Sequence, residues 1–281
     1  MNTPSRDLPS LVSALTGHYG NRESENILRI LYEDYLILPR KTALEDIPPS
    51  EVIKLKAALD LLLKDYPIQY ITGKVWFYGY LFLVGPGVLI PRPETEELVE
   101  LALKNINKSD SCRVIDIGCG SGIIPIVIKR QRPGVMVDAV DISQQAIEFT
   151  RKNAELLQVE LNIFEANILH PEWTFFEDYD FIISNPPYIL EDEIPEMSVS
   201  TVLYEPHIAL FSGEAMTFYK AILFFGQKKL KIGGKILLEC SEFHAGEVRN
   251  LALTMGYSEA YLHKDLQGKD RMIEVVNSNG F

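Results

Sequence analysis

Residues 111–123 read SCRVIDIGCGSGI, an apolar run that passes directly into three glycines, Gly118, Gly120 and Gly122. The residues that follow continue an apolar pattern with helical spacing. A strand, a glycine loop and a helix in this order allow a ligand to press against bare backbone at the end of the strand. The stretch therefore predicts an α/β fold with a nucleotide-like cofactor at the loop.

The spacing of these glycines indicates which cofactor fits. A dinucleotide-binding loop reads GxGxxG, but position 123 is Ile123, so the pattern here is GxGxG, with Asp116 two residues before Gly118. A carboxylate near the loop repels a pyrophosphate. Asp116 suits a ligand with a positive end, such as the amino group and sulfonium of S-adenosylmethionine.

Outward from the loop, short β-branched runs alternate with helical patterns, beginning with a helix over 94–107. This alternation predicts a mostly parallel sheet covered by helices on both faces. The strands are expected near 112–117, 135–140, 161–166, 180–184 and 235–240.

The N-terminal region is predicted to be helical, because apolar residues follow one buried stripe over 27–36 and another over 52–63. Ser50 is a candidate N-cap for the second of these helices. The region has no polar cluster of catalytic type. It is interpreted either as a structural cap on the second domain or as a surface that grips a partner.

Residues 66–94 are rich in aromatic residues and glycine, as strands joined by turns are. They predict a β-hairpin linker. The expected organisation is a helical substrate-binding domain at 1–73, the hairpin linker at 74–90, and a catalytic α/β domain at 91–281.

The charge is unevenly distributed along the 281 residues, which carry 39 acidic and 27 basic side chains. Residues 1–83 hold 9 basic and 10 acidic side chains, a net −1, while residues 84–281 hold 18 and 29, a net −11. An acidic domain repels phosphate backbones, so non-specific DNA binding is not expected.

The three cysteines, Cys112, Cys119 and Cys240, have neither disulfide nor zinc-ligand spacing, so no metal is predicted and a reducing compartment is favoured.

The N-terminus has no apolar core behind a basic start, and no uncharged stretch approaches the ~18 residues of a membrane helix. We expect a soluble cytoplasmic protein that does not contact membranes.

The ends of the second and third predicted strands also carry candidate ligands. Asp141 follows the second strand, where a carboxylate accepts both hydroxyls of a ribose. It could instead cap the helix that starts near Gln144, although Ser143 suits that position equally well. After the third strand, the Asn167 side chain or the Ile168 backbone could contact an adenine edge, or the pair could be plain loop.

The fourth predicted strand delivers the run NPPY, residues 185–188, to the carboxyl edge of the sheet. Asn-Pro also opens ordinary turns, but at roughly 5% for each residue type the chance of these four letters occurring in the chain is on the order of 1 in 500. Two prolines remove two backbone donors, which leaves the Asn185 side-chain oxygen and the Pro186 carbonyl as acceptors. A planar –NH2 group fits such a site, and Tyr188 can enclose it.

With these residues in place, the chain resembles a class I S-adenosylmethionine-dependent methyltransferase, and more narrowly the HemK/PrmC family of release factor glutamine methyltransferases. The run LIPRPETE at 89–96 resembles a family segment, and its PRPET part is far more specific than the glycine loop. Other similar segments are 67–73, 77–79, 116–122, 139–143, 184–188, 205–206, 209–210 and 265–271.

The resemblance implies a seven-stranded Rossmann-like domain and methyl transfer to the side-chain amide nitrogen of the glutamine in the GGQ motif of class I peptide chain release factors. It implies that the helical domain helps to hold the release factor. If the roles of the family's residues are transferred to the matching positions, the catalytic residues are Asn185, Pro186 and Tyr188. The substrate site also includes Pro187, Arg92 and Thr95. The cofactor site comprises Asp116, Gly118, Cys119, Gly120, Ser121, Gly122, Asp141, Ile142, Asn167, Ile168 and Asn185.

The chain departs from the family pattern at three places. Cys119 stands where threonine is usual, Asn167 where an acid is common, and Cys240-Ser241 where the family has Ile-Gly. These departures affect the expected contacts to adenine rather than the reaction.

Two other functions are considered. N6-adenine and other exocyclic-amine nucleic-acid methyltransferases also use an (N/D/S)PPY loop on a flipped base, but a duplex-binding version should have a basic groove. A non-catalytic binding module should have a broken cofactor or acceptor loop, and both loops are intact here.

Overall fold

The computed structural model describes residues 7–107, 111–170, 177–214 and 216–278. The chain forms two compact units. One comprises Met1–Lys74 with Ser198–Tyr204, and the other comprises Val75–Met197 with Glu205–Phe281. A short segment that the sequence places in the catalytic domain therefore belongs to the first unit.

The first unit is helical and has its own apolar core, built from leucines such as Leu15, Leu31, Leu55 and Leu59. A side-chain oxygen of Asp7 accepts a hydrogen bond from the Ser10 amide and caps the first helix. The helices are α1 (Leu8–Tyr19), α2 (Asn21–Ile30), a π-helical continuation (Leu31–Tyr35), a 3₁₀ turn (Leu44–Asp46), α3 (Pro49–Leu62) and α4 (Ile68–Thr72).

Two local predictions in this region are wrong. Ser50 does not cap α3, which begins at Pro49 with Pro48 in the cap position, because proline has a helical φ and no amide that needs a partner. Residues 68–72 lie in the range 66–94 that was interpreted as strands joined by turns, but they are helical, as the rest of the domain expected at 1–73 is: the Pro67 carbonyl accepts the amides of Tyr70 and Ile71. Gly73 then ends the helix with a φ of 70°.

Two short strands, β1 (Lys74–Phe77) and β2 (Tyr80–Leu83), pair as a separate sheet. The turn between them places Tyr78 and Gly79 at φ of 51° and 75°. This sheet lies inside the range predicted for the hairpin.

The second unit is built on a seven-stranded sheet with the order β5-β4-β3-β6-β7-β9-β8. Strands β3 to β7 run parallel, and β9 is antiparallel to both of its neighbours. The predicted Rossmann-like fold with a mostly parallel sheet is confirmed. The strands are β3 (Arg113–Ile117), β4 (Met136–Asp141), β5 (Asn162–Glu165), β6 (Tyr179–Ser184), β7 (Leu230–Glu239), β8 (Glu259–Lys264) and β9 (Asp270–Val276).

Apolar side chains on both faces of this sheet are covered by helices, as strands buried on both faces require. The helices after the hairpin are α5 (Pro93–Asn105), α6 (Ile123–Gln131), α7 (Gln144–Leu156), α8 (Val199–Tyr204), α9 (His207–Leu210), α10 (Thr217–Lys229) and α11 (Ala245–Thr254), with a 3₁₀ segment at Glu191–Glu196. None of the helices in the described ranges is long and apolar enough to cross a membrane.

The topology positions the site. The chain runs outward from β3 to β4 and β5, then returns to place β6 on the other side of β3. Open α/β sheets bind ligands at the carboxyl ends of the strands where the order reverses in this way. The residues that follow β3, β4, β5 and β6 therefore meet at one edge.

Candidate active site

A cavity of about 260 Å³ opens at this edge of the sheet. All four strand ends that the sequence singles out contribute to its wall. The predicted site residues that line it are Gly118, Gly120, Asp141, Ile142, Asn167, Ile168, Asn185, Pro186 and Pro187.

The glycine loop forms part of the cavity wall through Gly118 and Gly120. The amides of Gly118 and Cys119 both donate to the Val140 carbonyl, at 2.8 and 2.9 Å. Gly118 and Gly120 have φ of 78° and 55°, and a Cβ on either residue would meet no atom within 4 Å. These two positions therefore present bare backbone to open space, as a cradle for a ligand must.

Three further residues predicted to bind cofactor support the loop from behind and do not line the cavity. Cys119 is buried with its Sγ 3.4 Å from the Thr150 hydroxyl, and burial raises the pKa of this thiol well above its ordinary value. The Ser121 carbonyl accepts a hydrogen bond from Asn153 Nδ2 at 2.8 Å. A Cβ on Gly122 would lie 2.9 Å from the Thr150 methyl group.

Asp141 joins two loops at the cavity wall. Its Oδ2 accepts the Gly120 amide and its Oδ1 accepts the Ser143 amide, both at 2.9 Å. Ser143, not Asp141, caps α7, because its hydroxyl accepts the Ala146 amide. Burial raises the pKa of the Asp141 carboxyl, and the backbone hydrogen bonds oppose that effect. The carboxylate thus faces the cavity on a rigid support.

Asp116, at the end of β3, is fully buried. Within the described residues neither of its carboxylate oxygens has a hydrogen-bond partner. Burial, and then the nearby charge of Asp141, raise the pKa of Asp116 well above its usual range. Asp116 does not line the cavity, so the structure places it behind the glycine loop.

Asn185 is held by its amide nitrogen. Its Nδ2 donates to the Thr95 hydroxyl oxygen at 3.1 Å, and Thr95 in turn donates to Glu239 Oε2 at 2.8 Å. No hydrogen bond within the described part of the chain uses Asn185 Oδ1. The side chain therefore keeps a carbonyl oxygen available beside the buried Pro186.

Glu239 is the residue that sequence reasoning missed. It ends β7, is 2% exposed, and accepts a second hydrogen bond from the Tyr188 hydroxyl at 3.3 Å. Burial raises its pKa to about 7, while Thr95, Tyr188 and Arg271 act in the opposite direction. A carboxylate next to the end of the strand predicted at 235–240 was the signal that could have identified it.

Thr95, Tyr188 and Arg92 lie outside the cavity wall. Arg92 Nη2 donates to Glu205 Oε1 at 2.5 Å, and the other oxygen of this buried carboxylate accepts the Ile90 amide at 3.0 Å. This pair ties the PRPET segment to the segment that follows α8.

Asn167 stabilises its own loop, since its Oδ1 accepts the Leu169 amide at 2.9 Å. Several apolar wall residues were also missed from the sequence. The segments 89–96 and 209–210, which resemble the family, contain two of them. They are Val88, Leu89, Ala146, Ala166, Leu169, Ile208, Ala209, Phe218 and Ile222.

The wall has two kinds of surface. One side offers bare glycine backbone and the Asp141 carboxylate, and the other offers an amide oxygen fixed beside proline. This set fits a nucleoside-bearing cofactor next to a planar amide or amine, because hydroxyls and N–H groups need acceptors and a close approach needs missing side chains.

Comparison with known proteins agrees with this geometry. Residues 94–218 match the family model of the methyltransferase small domain. Release factor glutamine methyltransferases from Flavobacterium psychrophilum and Bacillus subtilis are 34% and 32% identical, over 94% and 90% of this chain and 95% and 91% of theirs. The enzyme of the same name from Bacteroides thetaiotaomicron is 39% identical over 75% of this chain and 76% of its own.

Solved structures share the fold at low sequence identity. A methyltransferase from Pyrococcus furiosus superposes with a TM-score of 0.54 at 17% identity, covering 73% of this chain and 91% of that one. A 16S rRNA N2 G1207 methyltransferase from T. thermophilus gives 0.50 at 16% identity, over 73% and 50%. Because relatives with this name match along almost its whole length, the chain belongs to the release factor glutamine methyltransferase family.

Proposed function

We propose that this protein transfers a methyl group from S-adenosylmethionine to the side-chain amide nitrogen of the glutamine in the GGQ motif of class I peptide chain release factors. The observation that carries the proposal is the single cavity that brings the glycine loop and Asp141 together with Asn185 and Pro186. The family supports the identity of the substrate.

The glycine side of the cavity would hold the cofactor. Gly118 and Gly120 allow close approach to their backbone, Asp141 accepts the ribose hydroxyls, and Asn167 and Ile168 border the adenine. A cationic ligand bound near the loop would favour the ionised form of the buried Asp116 carboxyl, whose oxygens have no hydrogen-bond partner among the described residues. Ile142 completes the cavity wall on this side, and Cys119, Ser121 and Gly122 support the loop from behind. When bound, S-adenosylmethionine supplies an electrophilic methyl group on a sulfonium.

The acceptor side would fix the glutamine amide. Asn185 Oδ1 and the Pro186 carbonyl accept its two N–H hydrogens, which directs the nitrogen lone pair out of the amide plane and toward the methyl group. The same oxygens favour the positive charge that develops on nitrogen. The transfer step itself needs no general base, because the methylated nitrogen can lose its extra proton to water after the methyl group has been transferred. Pro187 lines the cavity beside the amide, and Tyr188, Thr95 and Arg92, which lie outside the cavity wall, would act by holding the acceptor loop and its surroundings in place.

The helical unit would hold the body of the release factor, so that the GGQ loop alone enters the cavity. The proposed setting is the cytoplasm, where release factors act. Duplex nucleic acid is not proposed as a partner, because the net −11 over residues 84–281 opposes a phosphate backbone.

The test is to incubate the purified protein with isotope-labelled S-adenosylmethionine and a class I release factor, then locate the label by mass spectrometry. We expect the mark on the GGQ glutamine alone. A release factor with GGE in place of GGQ is the matched control and should stay unlabelled. Labelling of RNA or DNA oligonucleotides, with none on the release factor, would overturn the proposal.

A further inference from the structure

Glu239, Thr95, Asn185 and Tyr188 form a buried hydrogen-bonded group directly behind the acceptor loop. The two oxygens of Glu239 each accept one hydroxyl, from Thr95 at 2.8 Å and from Tyr188 at 3.3 Å. Thr95 is itself 2% exposed, so water does not compete for these contacts. The group connects the last residue of β7 and the first turn of α5 to the loop after β6.

The protons of this group can be assigned by counting donors and acceptors. A threonine hydroxyl has one proton and two lone pairs, and a carboxylate only accepts. Since Glu239 takes the Thr95 proton, Thr95 can only accept from Asn185, and only the NH2 end of the Asn185 amide can donate to it. Ionised Glu239 therefore determines which way round the amide lies.

We infer that Glu239 is a positioning residue that acts through Thr95 to keep Asn185 Oδ1, rather than Nδ2, toward the acceptor. The inference rests on the proposed function. An inverted amide would place a donor where the acceptor oxygen belongs, and two facing NH2 groups repel one another. Through the Tyr188 hydroxyl, the same carboxylate holds the ring beside the loop.

The groups that face Glu239 have opposing effects on its ionisation. Arg271 on β9 favours the anion and Glu94 on α5 opposes it, while the Tyr188 hydroxyl donates to it. Tyr219 of α10 donates to the Glu239 carbonyl, and the Cys240 thiol adjoins it in sequence. Burial is the largest effect and raises the pKa to about 7.

The test compares four single variants at saturating S-adenosylmethionine, with single-turnover rates of release factor methylation. Thr95→Val and Glu239→Leu remove the hydroxyl and the acceptor, and each should lower the rate about 30- to 100-fold. The rate of Thr95→Ser should be at least about tenfold higher than that of Thr95→Val. The rate of Glu239→Gln should be at least about threefold higher than that of Glu239→Leu. Affinity for S-adenosylhomocysteine should change less than twofold in all four.

Two readouts separate positioning from a merely structural effect. The wild-type rate should fall as pH decreases through about 7 and approach the rate of Glu239→Gln, whose own rate should not vary over that range. In the double variant Thr95→Val with Glu239→Leu, the reduction in rate should be close to that of one single variant, because both changes break the same chain of hydrogen bonds to Asn185. Additive losses, or identical pH profiles for wild type and Glu239→Gln, contradict the inference.

Glu274→Gln is the matched control. Glu274 is another buried carboxylate of the same sheet, and it contacts Lys235 at 2.7 Å and His263 at 3.1 Å. Its substitution by glutamine should leave the rate of methylation and the pH profile of that rate unchanged. If the wild type does not label the GGQ glutamine, the proposed function fails. If it does and Glu239→Leu is equally fast, only the positioning inference fails.

Discussion

At the scale of single residues, the chemistry depends on how one amide group is presented. The Asn185 nitrogen is engaged by Thr95 at 3.1 Å, so its oxygen is the atom that remains for a ligand. An acceptor fixed before the substrate arrives needs no reorganisation during the reaction, and such preorganised contacts are worth most in a site that excludes water.

Replacing Asn185 by alanine tests this directly. Asn185→Ala should reduce kcat by ~10²-fold or more, because it removes a contact that strengthens as charge develops on the acceptor nitrogen. Cofactor affinity, measured by calorimetry with S-adenosylhomocysteine, should remain within about threefold of the wild type. An unchanged rate would contradict the assignment of Asn185.

Asp141 should give the opposite pattern. Asp141→Ala removes the ribose acceptor and releases the Gly120 and Ser143 amides, so we expect cofactor affinity to fall at least about tenfold. Asp141→Asn keeps one side-chain oxygen, so its cofactor affinity should lie between those of the wild type and Asp141→Ala. A calorimetric affinity equal to that of the wild type in Asp141→Ala would reject the ribose contact.

Glu239 should also affect stability, with a definite sign. Its folded-state pKa is raised above the ordinary glutamate value, to about 7. The stability it contributes is therefore present below the unfolded pKa and lost as pH rises through about 7. Glu239→Gln should have a higher Tm than the wild type at pH 8, with the difference shrinking toward pH 5, as thermal denaturation can measure. A Tm difference that grows toward acid pH would contradict the raised pKa.

At the scale of elements, the site is made of strand ends. Periodicity and turn residues were enough to predict the parallel strands, the glycine loop and the NPPY loop, because each carries its signal within a few consecutive residues. The hydrogen bonds of Thr95 with Asn185 and with Glu239 join positions 90 and 144 residues apart, and local sequence contains no information about such contacts.

The same limitation explains the errors in secondary structure. Residues 68–72 contain β-branched side chains typical of strands, but burial of Tyr70 and the stop at Gly73 favour a single helical turn. Strands β8 and β9 were not located individually, although the predicted total of seven strands includes them. Their pairing is antiparallel and joins them to β7 at the edge of the sheet.

Gly122 offers a test at this scale, because the loop-to-helix junction needs its left-handed backbone. Its φ is 81°, and a Cβ would lie 2.9 Å from Thr150 Cγ2. Gly122→Ala should destabilise the protein by about 1–2 kcal/mol, as a left-handed L-residue does.

The matched control for this prediction is Gly246→Ala in α11. A Cβ there meets no atom within 4 Å and the φ is not positive, so the change should stabilise by about 0.5–1 kcal/mol. Urea denaturation of both variants gives the comparison. Equal stability of the two variants would contradict the strained junction.

At the scale of the whole molecule, the net negative charge is concentrated in the part of the chain that follows the helical N-terminal region, and that region is nearly neutral. Residues 1–83 carry a net −1 and residues 84–281 a net −11. The helical unit has its own core, and the proposed function gives it the task of holding the release factor.

Comparing two substrates tests that task. The wild type should use an intact release factor with a kcat/KM at least about tenfold above that for a short GGQ peptide, because the helical unit adds contacts that only the intact protein can make. A chain lacking residues 1–73 should bring the ratio close to one, while keeping its affinity for S-adenosylhomocysteine. An unchanged ratio would show that the helices do not hold the substrate.

The most direct measurement is a crystal structure of the protein with S-adenosylhomocysteine and a GGQ peptide. It should place the glutamine side-chain nitrogen within hydrogen-bond distance of both Asn185 Oδ1 and the Pro186 carbonyl, with the cofactor sulfur in line behind the missing methyl group. A complex in which Asn185 turns into the protein interior, or the glutamine lies away from the sulfur, would contradict the account.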